Sequence, residues 1–406
     1  MGFLMLGWVD RDGRLLLGVR VIHSFSASFV SIFIAVYLKL VGLPLWLVGV
    51  VLTGGLLSST FFNLVAGFLS GLFGRRKLLV FFGLVSVLSG LVFALSSDPL
   101  VLAGVAMVSS LGYRGGFGAA QMLERVILAQ SCPEERRTRL YAIRSTLGSV
   151  AVSAGSLFTG LVVLLQTHFG LSEIASYQWM FGSYALLNLL VVRLYSMLGE
   201  GSEIVDEEGE RTPLSSETRR LVVLLSTLFS VDALGGSFIT QSLVSYWFFE
   251  RFGLGMDRLG IIFSASNILA ALSFLMAARI SERIGLINTM AFTHLPAQLM
   301  LAAIPFMPSL EVSLSLYLTR SLLCQMDVPT RQSYTMAIVK PEERSRVQSL
   351  INLPRSLTMA FGPSIAGYIM QFIGLSLPLL LAGIIKAGYD VALWWTFKDM
   401  KPPEEK

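Results

Sequence analysis

Pro133-Glu134-Glu135-Arg136 returns as Pro341-Glu342-Glu343-Arg344, 208 residues further along a chain of 406. The surroundings repeat with it: a long apolar segment holding arginines, a short basic turn, then a second apolar segment with an Arg-Ser pair. Because the spacing is half the chain, the protein reads as a tandem duplication. Elsewhere the two parts align without gaps at an offset of 211, pairing Ser26 with Ser237, Gly42-Leu43 with Gly253-Leu254, Gly49 with Gly260, Leu64 with Leu275, Ser70 with Ser281 and Gly74 with Gly285.

Hydrophobic residues make up 54% of the chain and charged ones 14%, with a mean hydropathy of +0.70. Soluble domains carry roughly 25% charged residues, so this is the composition of a polytopic membrane protein. The net charge of +5 is then expected in cytoplasmic loops rather than on nucleic acid. Two cysteines, Cys132 and Cys324, give neither a disulfide framework nor a thiolate metal site. The start, Met1 to Leu6, is apolar with its charges (Asp10, Arg11, Asp12, Arg14) behind it, which is not the order of a signal peptide. An interfacial helix held by Trp8 and those charges is expected instead.

A spanning helix needs about 20 mostly apolar residues. Twelve candidate segments follow: 15–39, 44–73, 78–97, 99–130, 138–166, 175–198, 219–249, 256–280, 285–307, 309–339, 346–372 and 375–397. The connections alternate in charge. Arg75-Arg76-Lys77, Arg136-Arg137, Arg219-Arg220, Arg279 with Arg283, and Lys340 with Arg344 and Arg346 fall on one side, which should be cytoplasmic together with both termini. The other side holds Lys39, Arg251 and Arg258 among Asp98, Glu173, Glu250, Asp257 and Glu311. Residues 199–218, rich in Glu, Asp, Gly and Ser, are too polar to bury and read as a linker between an N-terminal half (1–198) and a C-terminal half (219–406). The fold class is thus an all-α membrane protein, with twelve transmembrane helices in two pseudo-symmetric halves of six.

In this form the chain resembles the major facilitator superfamily over essentially its whole length. Between helices two and three the family usually has Gly-x-x-x-Asp-Arg/Lys-x-Gly-Arg-Arg/Lys, and this chain reads Gly67-Phe68-Leu69-Ser70-Gly71-Leu72-Phe73-Gly74-Arg75-Arg76, with Gly71 in place of the acid. The second half, Ser281-Glu282-Arg283-Ile284-Gly285, keeps an acid in Glu282. The resemblance implies a cytoplasmic gate at Glu282 and Arg283 and a central substrate cavity between the halves. Gly116-Phe117-Gly118-Ala119-Ala120 and Gly155 to Gly160 also resemble, in partial form, patterns of proton-coupled drug exporters, and helix eleven has Gly362-Pro363 at the equivalent place.

An ionisable side chain inside a membrane costs at least about 2.5 kcal/mol, so it normally meets a partner or a wet cavity. Arg114, Gln121 and Arg125 in helix four stand at i, i+7 and i+11, one stripe of an α-helix. Arg320, Asp327 and Arg331 repeat that spacing in helix ten. The resemblance places such stripes on the substrate cavity; alternatively Arg125 and Arg331 snorkel to the cytoplasm and Asp327 pairs with Arg331. Glu124 can neutralise Arg144 of helix five. Arg355 of helix eleven has no acid in its own helix, leaving Asp327 or a substrate anion to answer it. Arg20 and Asp232, at near-equivalent places in helices one and seven, could pair between the halves, and His23 could carry a coupling proton.

The candidate substrate contacts are therefore Arg114, Gln121, Arg320, Arg355, Asn267 and Gln241. Candidate proton carriers are Asp232, Glu124, Asp327 and His23, and candidate gating or ion-pair residues are Arg20, Arg125, Arg144, Arg331, Glu282 and Arg283. No phosphate-binding loop, metal motif or hydrolytic triad occurs, so neither enzyme chemistry nor a cofactor is expected. The expectation is a monomeric secondary transporter in the cell membrane whose partners are a small-molecule substrate, protons and the lipid bilayer, with no nucleic acid. Proton-coupled efflux is the leading form and transport of an anionic carboxylate or phosphorylated metabolite the alternative. A receptor or lipid-handling protein that has kept the fold is the reading from another class.

Overall fold

The structure is a computed structural model that describes residues 7–111, 118–133, 136–199, 215–340 and 343–400. Arg114, most of the acidic linker, Glu134 and Glu135 of the first motif, and Pro341 and Glu342 of the second lie outside the described residues. Among the described residues the chain forms sixteen α-helices and no strand. They are α1 (Arg11–Leu40), α2 (Leu45–Phe73), α3 (Arg75–Leu95), α4 (Pro99–Ser109), α5 (Gly118–Gln130), α6 (Arg137–Phe158), α7 (Leu161–Phe169) and α8 (Glu173–Ser196). After the linker come α9 (Ser216–Ser237), α10 (Gln241–Phe252), α11 (Met256–Ile284), α12 (Leu286–Ala303), α13 (Leu310–Leu323), α14 (Asp327–Ala337), α15 (Arg344–Phe372) and α16 (Leu377–Phe397).

Among the described residues, seven helical stretches are long and apolar enough to cross a membrane: Arg11–Leu40, Leu45–Ala66, Arg75–Leu95, Arg139–Phe169, Thr218–Phe252, Met256–Ile284 and Leu377–Phe397. The other expected segments are helical where described, but too short, interrupted or polar to meet that rule. Several segments read as continuous are helix pairs. The break at Thr159-Gly160 closes with hydrogen bonds to residues three back, Ser156 and Leu157, and a second break follows Gly235-Gly236 between α9 and α10. The apolar start of the expected interfacial helix, Met1 to Leu6, lies outside the described residues, and the charges expected to hold it have another place. Asp10 caps α1, its carboxylate accepting from the Gly13 amide at 2.7 Å, so Arg11, Asp12 and Arg14 belong to the first turn of a spanning helix.

By packing, the chain divides into two compact units, Met1–Glu207 with Phe248–Ser264, and Glu208–Trp247 with Ala265–Lys406. In the first, α1 lies against α6 and α8, and α3 against α8. Phe33, Tyr37, Phe93, Tyr177 and Phe181 fill its core with tilted and edge-on ring contacts. In the second, α9 packs on α15 and α16, and α12 on α16, α14 and α13.

The repeat is visible in backbone detail. Gly74 and Gly285 both turn the chain between consecutive helices at φ 85°, where a side chain would be strained. Gly155 of α6 lets the Phe25 carbonyl of α1 approach, and Gly362 of α15 does the same for Ser237 of α9. The motif turns also have equivalent work, each receiving the start of a first helix. At the first, the Asp10 amide donates to the Ser131 carbonyl (3.1 Å), and Arg136 and Arg139 lie over the Trp8 ring. At the second, Glu343 accepts from the Ser215 amide (2.7 Å) and the Thr218 hydroxyl (2.5 Å).

Candidate functional site

Each unit buries its own polar cluster. In the first, Glu124 of α5 is 2% exposed and accepts from Arg144 Nη2 of α6 at 3.0 Å and from the Tyr195 hydroxyl of α8 at 2.6 Å. Those two contacts match its charge and occupy both oxygens, as a buried carboxylate requires. Arg20 of α1 donates to Gln121 Oε1 at 3.5 Å and lies across Gly148, where a methyl group would stand 2.8 Å from its Nε. His23, one turn on, is buried with no hydrogen bond at either ring nitrogen among the described residues. It borders a small cavity of about 10 Å³ shared with Ser86, Asn188 and Tyr195, the size of one water molecule. Arg125 is exposed and enters no ion pair among the described residues; the Tyr141 hydroxyl donates to its carbonyl.

The second cluster centres on Asp232 of α9. One carboxylate oxygen accepts from Lys386 of α16, the other from Arg331 of α14 at 3.1 Å. Arg331 Nη1 is also 3.3 Å from Asp327 Oδ2, one turn before it, and its guanidinium lies over the Phe229 ring. One turn beyond Lys386, Asp390 Oδ1 is 2.7 Å from His294 Nδ1 of α12, and His294 Nε2 is 2.9 Å from Gln298 Nε2. All seven side chains are buried. Removing one partner from such a network strands a charge in a medium that cannot solvate it, at a cost of about 3–5 kcal/mol. Neutralising a carboxylate and its cation together does not.

Several expectations meet this geometry directly. The Glu124 to Arg144 and Asp327 to Arg331 pairs form. Asp232, for which symmetry offered Arg20, is bound by two cations of its own unit, because α9 packs on α16, which carries Lys386. Asp327 does not answer Arg355, since its carboxylate is on Arg331. Glu282 and Arg283 are exposed and form no ion pair among the described residues. Arg320 and Arg355 are half-buried on α13 and α15, Asn267 is buried on α11, and Gln241 opens α10; none joins the Asp232 cluster.

Lys386, Asp390, His294, Gln298 and Tyr195 were not singled out from the sequence. A signal existed for the first two. Lys386 and Asp390 stand four apart inside the predicted segment 375–397, and the cost of an intramembrane charge applies to them as to Asp232.

In structure, the chain is similar to the nucleoside transporter NupG (TM-score 0.71, 14% identity, 96% of this chain and 99% of that one). It is also similar to a bacterial homologue of the human lysosomal transporter Spinster in an inward-facing, occupied conformation (0.72, 14%, 96% and 98%) and to a D-xylose–proton symporter (0.68, 16%, 97% and 97%). In sequence it is 22% identical over 428 residues to the uncharacterized membrane protein YJR124C of Saccharomyces cerevisiae, covering 96% of this chain and 95% of that one. The Major Facilitator Superfamily model matches residues 16–326, the greater part of the chain. With that match and an all-helical, multi-pass architecture, the chain belongs to the major facilitator superfamily of membrane transporters.

Proposed function

We propose that the protein is a secondary active transporter built from two six-helix halves, which exports a small organic solute by alternating access in exchange for protons. It would act as a monomer in the cell membrane, with both termini on the cytoplasmic side. The observation that carries proton coupling is Asp232, a buried carboxylate held at once by Lys386 and Arg331. A proton arriving on Asp232 cancels its charge and frees both cations to seek other acids. Such a swap of partners is a discrete rearrangement that a substrate site can bias. Asp327, Glu124 and His23 are the further candidate carriers, and Arg320 and Arg355, with Arg114 and Gln121, the candidate substrate contacts. Export rests on the likeness of Gly155 to Gly160 to the exporters' pattern, so the assay has to read direction.

A second reading, transport of a carboxylate or phosphorylated metabolite, is favoured by the first unit, where Arg20 and Arg144 outnumber Glu124 in that cluster. One experiment addresses both. Protein is reconstituted with a pH-sensitive dye inside the vesicles and challenged with sugars, nucleosides, carboxylates and phosphorylated metabolites under an imposed pH gradient. Solute movement that dissipates the gradient in the wild type, and solute exchange without dissipation in Asp232→Asn, is the expected result. Unchanged gradient-driven transport in Asp232→Asn would remove Asp232 from the mechanism.

A further inference from the structure

The charges of the second cluster do not balance. Asp232, Asp327 and Asp390 are three buried carboxylates, while Arg331 and Lys386 are two cations. The other groups that bear on them are Tyr389 of α16 and His294 of α12; α13 and α15 add no ion-pair partner to His294 or Asp390 among the described residues. Arg331 and Lys386 are engaged by Asp232 and Asp327, which leaves Asp390 as the unmatched anion. Among the described residues its Oδ1 meets only His294, and its Oδ2 is buried without a hydrogen bond. A bare carboxylate in that position is unfavourable, and a proton shared with the adjacent imidazole removes the imbalance.

Gln298 is suited to both states of that imidazole. As placed, its Nε2 donates to Nε2 of a neutral ring whose Nδ1–H points to Asp390. Its Oε1 is buried and unpartnered; turning the amide over presents that oxygen to the Nε2–H of an imidazolium. Lys386, one turn from Asp390 on α16 and bonded to Asp232, stands between the two halves of the network.

We propose that His294, Asp390 and Gln298 form a proton-binding site distinct from Asp232, holding the one proton that makes the buried network of the second unit electroneutral. Occupancy of this site then sets how strongly Lys386 is drawn to Asp390 rather than Asp232. The assignment deepens the proton-coupled reading above and rests on it for its role in transport, but its test needs no solute.

The chain has three histidines, so the ring nitrogens of uniformly ¹⁵N-labelled full-length protein in lipid nanodiscs can be assigned by comparison with His294→Gln. Infrared difference spectra against Asp390→Asn report the Asp390 carboxyl. At neutral pH the expected result is either a doubly protonated His294 ring or a carboxylic-acid C=O band that disappears in Asp390→Asn; both place the proton on the pair. In Asp390→Asn, which leaves two acids and two cations, the His294 ring should be neutral. A neutral ring together with an ionised Asp390 in the wild type overturns the proposal, as does a doubly protonated ring that persists in Asp390→Asn. The wild-type spectra decide even where a variant fails to fold. If the proton is found while Asp232→Asn leaves gradient-driven transport intact, the site stands and the transport reading falls. If no proton is found while that variant abolishes coupling, the reverse holds.

Discussion

Glu124 in the first unit and Asp232 in the second are both buried carboxylates facing arginine, yet they are finished differently. Glu124 has one cation and one phenol, and the set is closed: one charge against one, with both oxygens used. Asp232 has two cations, one of which is shared with Asp327 while the other sits a turn from Asp390. A closed pair has one good arrangement, whereas a network with more partners than it can satisfy at once has several of similar energy. On one repeated scaffold, the buried charge of the first unit is answered within a closed set, while that of the second is shared among several partners.

The comparison can be broken most forcefully at Asp232. Asp232→Ala strands Lys386 and deprives Arg331 of one partner, and a loss of about 3–5 kcal/mol is expected, read as loss of a monodisperse peak and a lower melting temperature in detergent. Adding Lys386→Met should recover most of it, because Arg331 keeps Asp327; failure to recover would mean that Lys386 is not held by Asp232. In the first unit, Glu124→Gln removes the charge but keeps a partner for Tyr195, with an expected cost of about 2 kcal/mol. Glu124→Leu with Arg144→Met should approach wild-type stability, since that pair owes nothing to a third charge. A double variant as unstable as Glu124→Leu alone would show that the first cluster is a network too.

Smaller effects test the scaffold. Gly155→Ala sets a methyl group against the Phe25 carbonyl, which is backbone and cannot turn aside, and about 1–3 kcal/mol is expected. Gly104→Ala, with open space around it, is the control and should be near neutral in the same melting assay. The smallest effect belongs to Glu343, outside the membrane. Hydrogen bonds from the Thr218 hydroxyl and the Ser215 amide hold its carboxyl below the usual carboxylate range. The stability difference between wild type and Glu343→Gln should therefore be full above about pH 4.3. It should close as the pH falls past the lowered value of the folded state. A difference that grows on acidification would exclude this lock.

The all-helical membrane character and the family were legible because they follow from composition, apolar segment length and the repeated turns. The Gly74 and Gly285 turns and the Asp327 to Arg331 pair come from local reading. Across helices the Glu124 to Arg144 pair was legible, but the partners of Asp232 were not. Which helix lies beside α9 is decided by packing, so the sequence offered Arg20 for Asp232 through symmetry, and the fold supplied Lys386 and Arg331 instead. Lys386 and Asp390 went unread for a different reason: their helix is apolar enough that two charges in it look incidental until His294 is brought alongside.

The linker joins its neighbours by two matched contacts. On one side the Gly199 amide is held by both oxygens of Asp12 at 3.1 Å, and on the other the Ser215 amide by Glu343. Each contact ties the chain to the body of its own unit before the adjoining helix is reached. Tension along the acidic stretch is then borne by a carboxylate at each end, as strain relief protects the joint of a cable, and α8 and α9 are spared it. Cutting the chain between the two clips should leave both units folded, with their ends still in place.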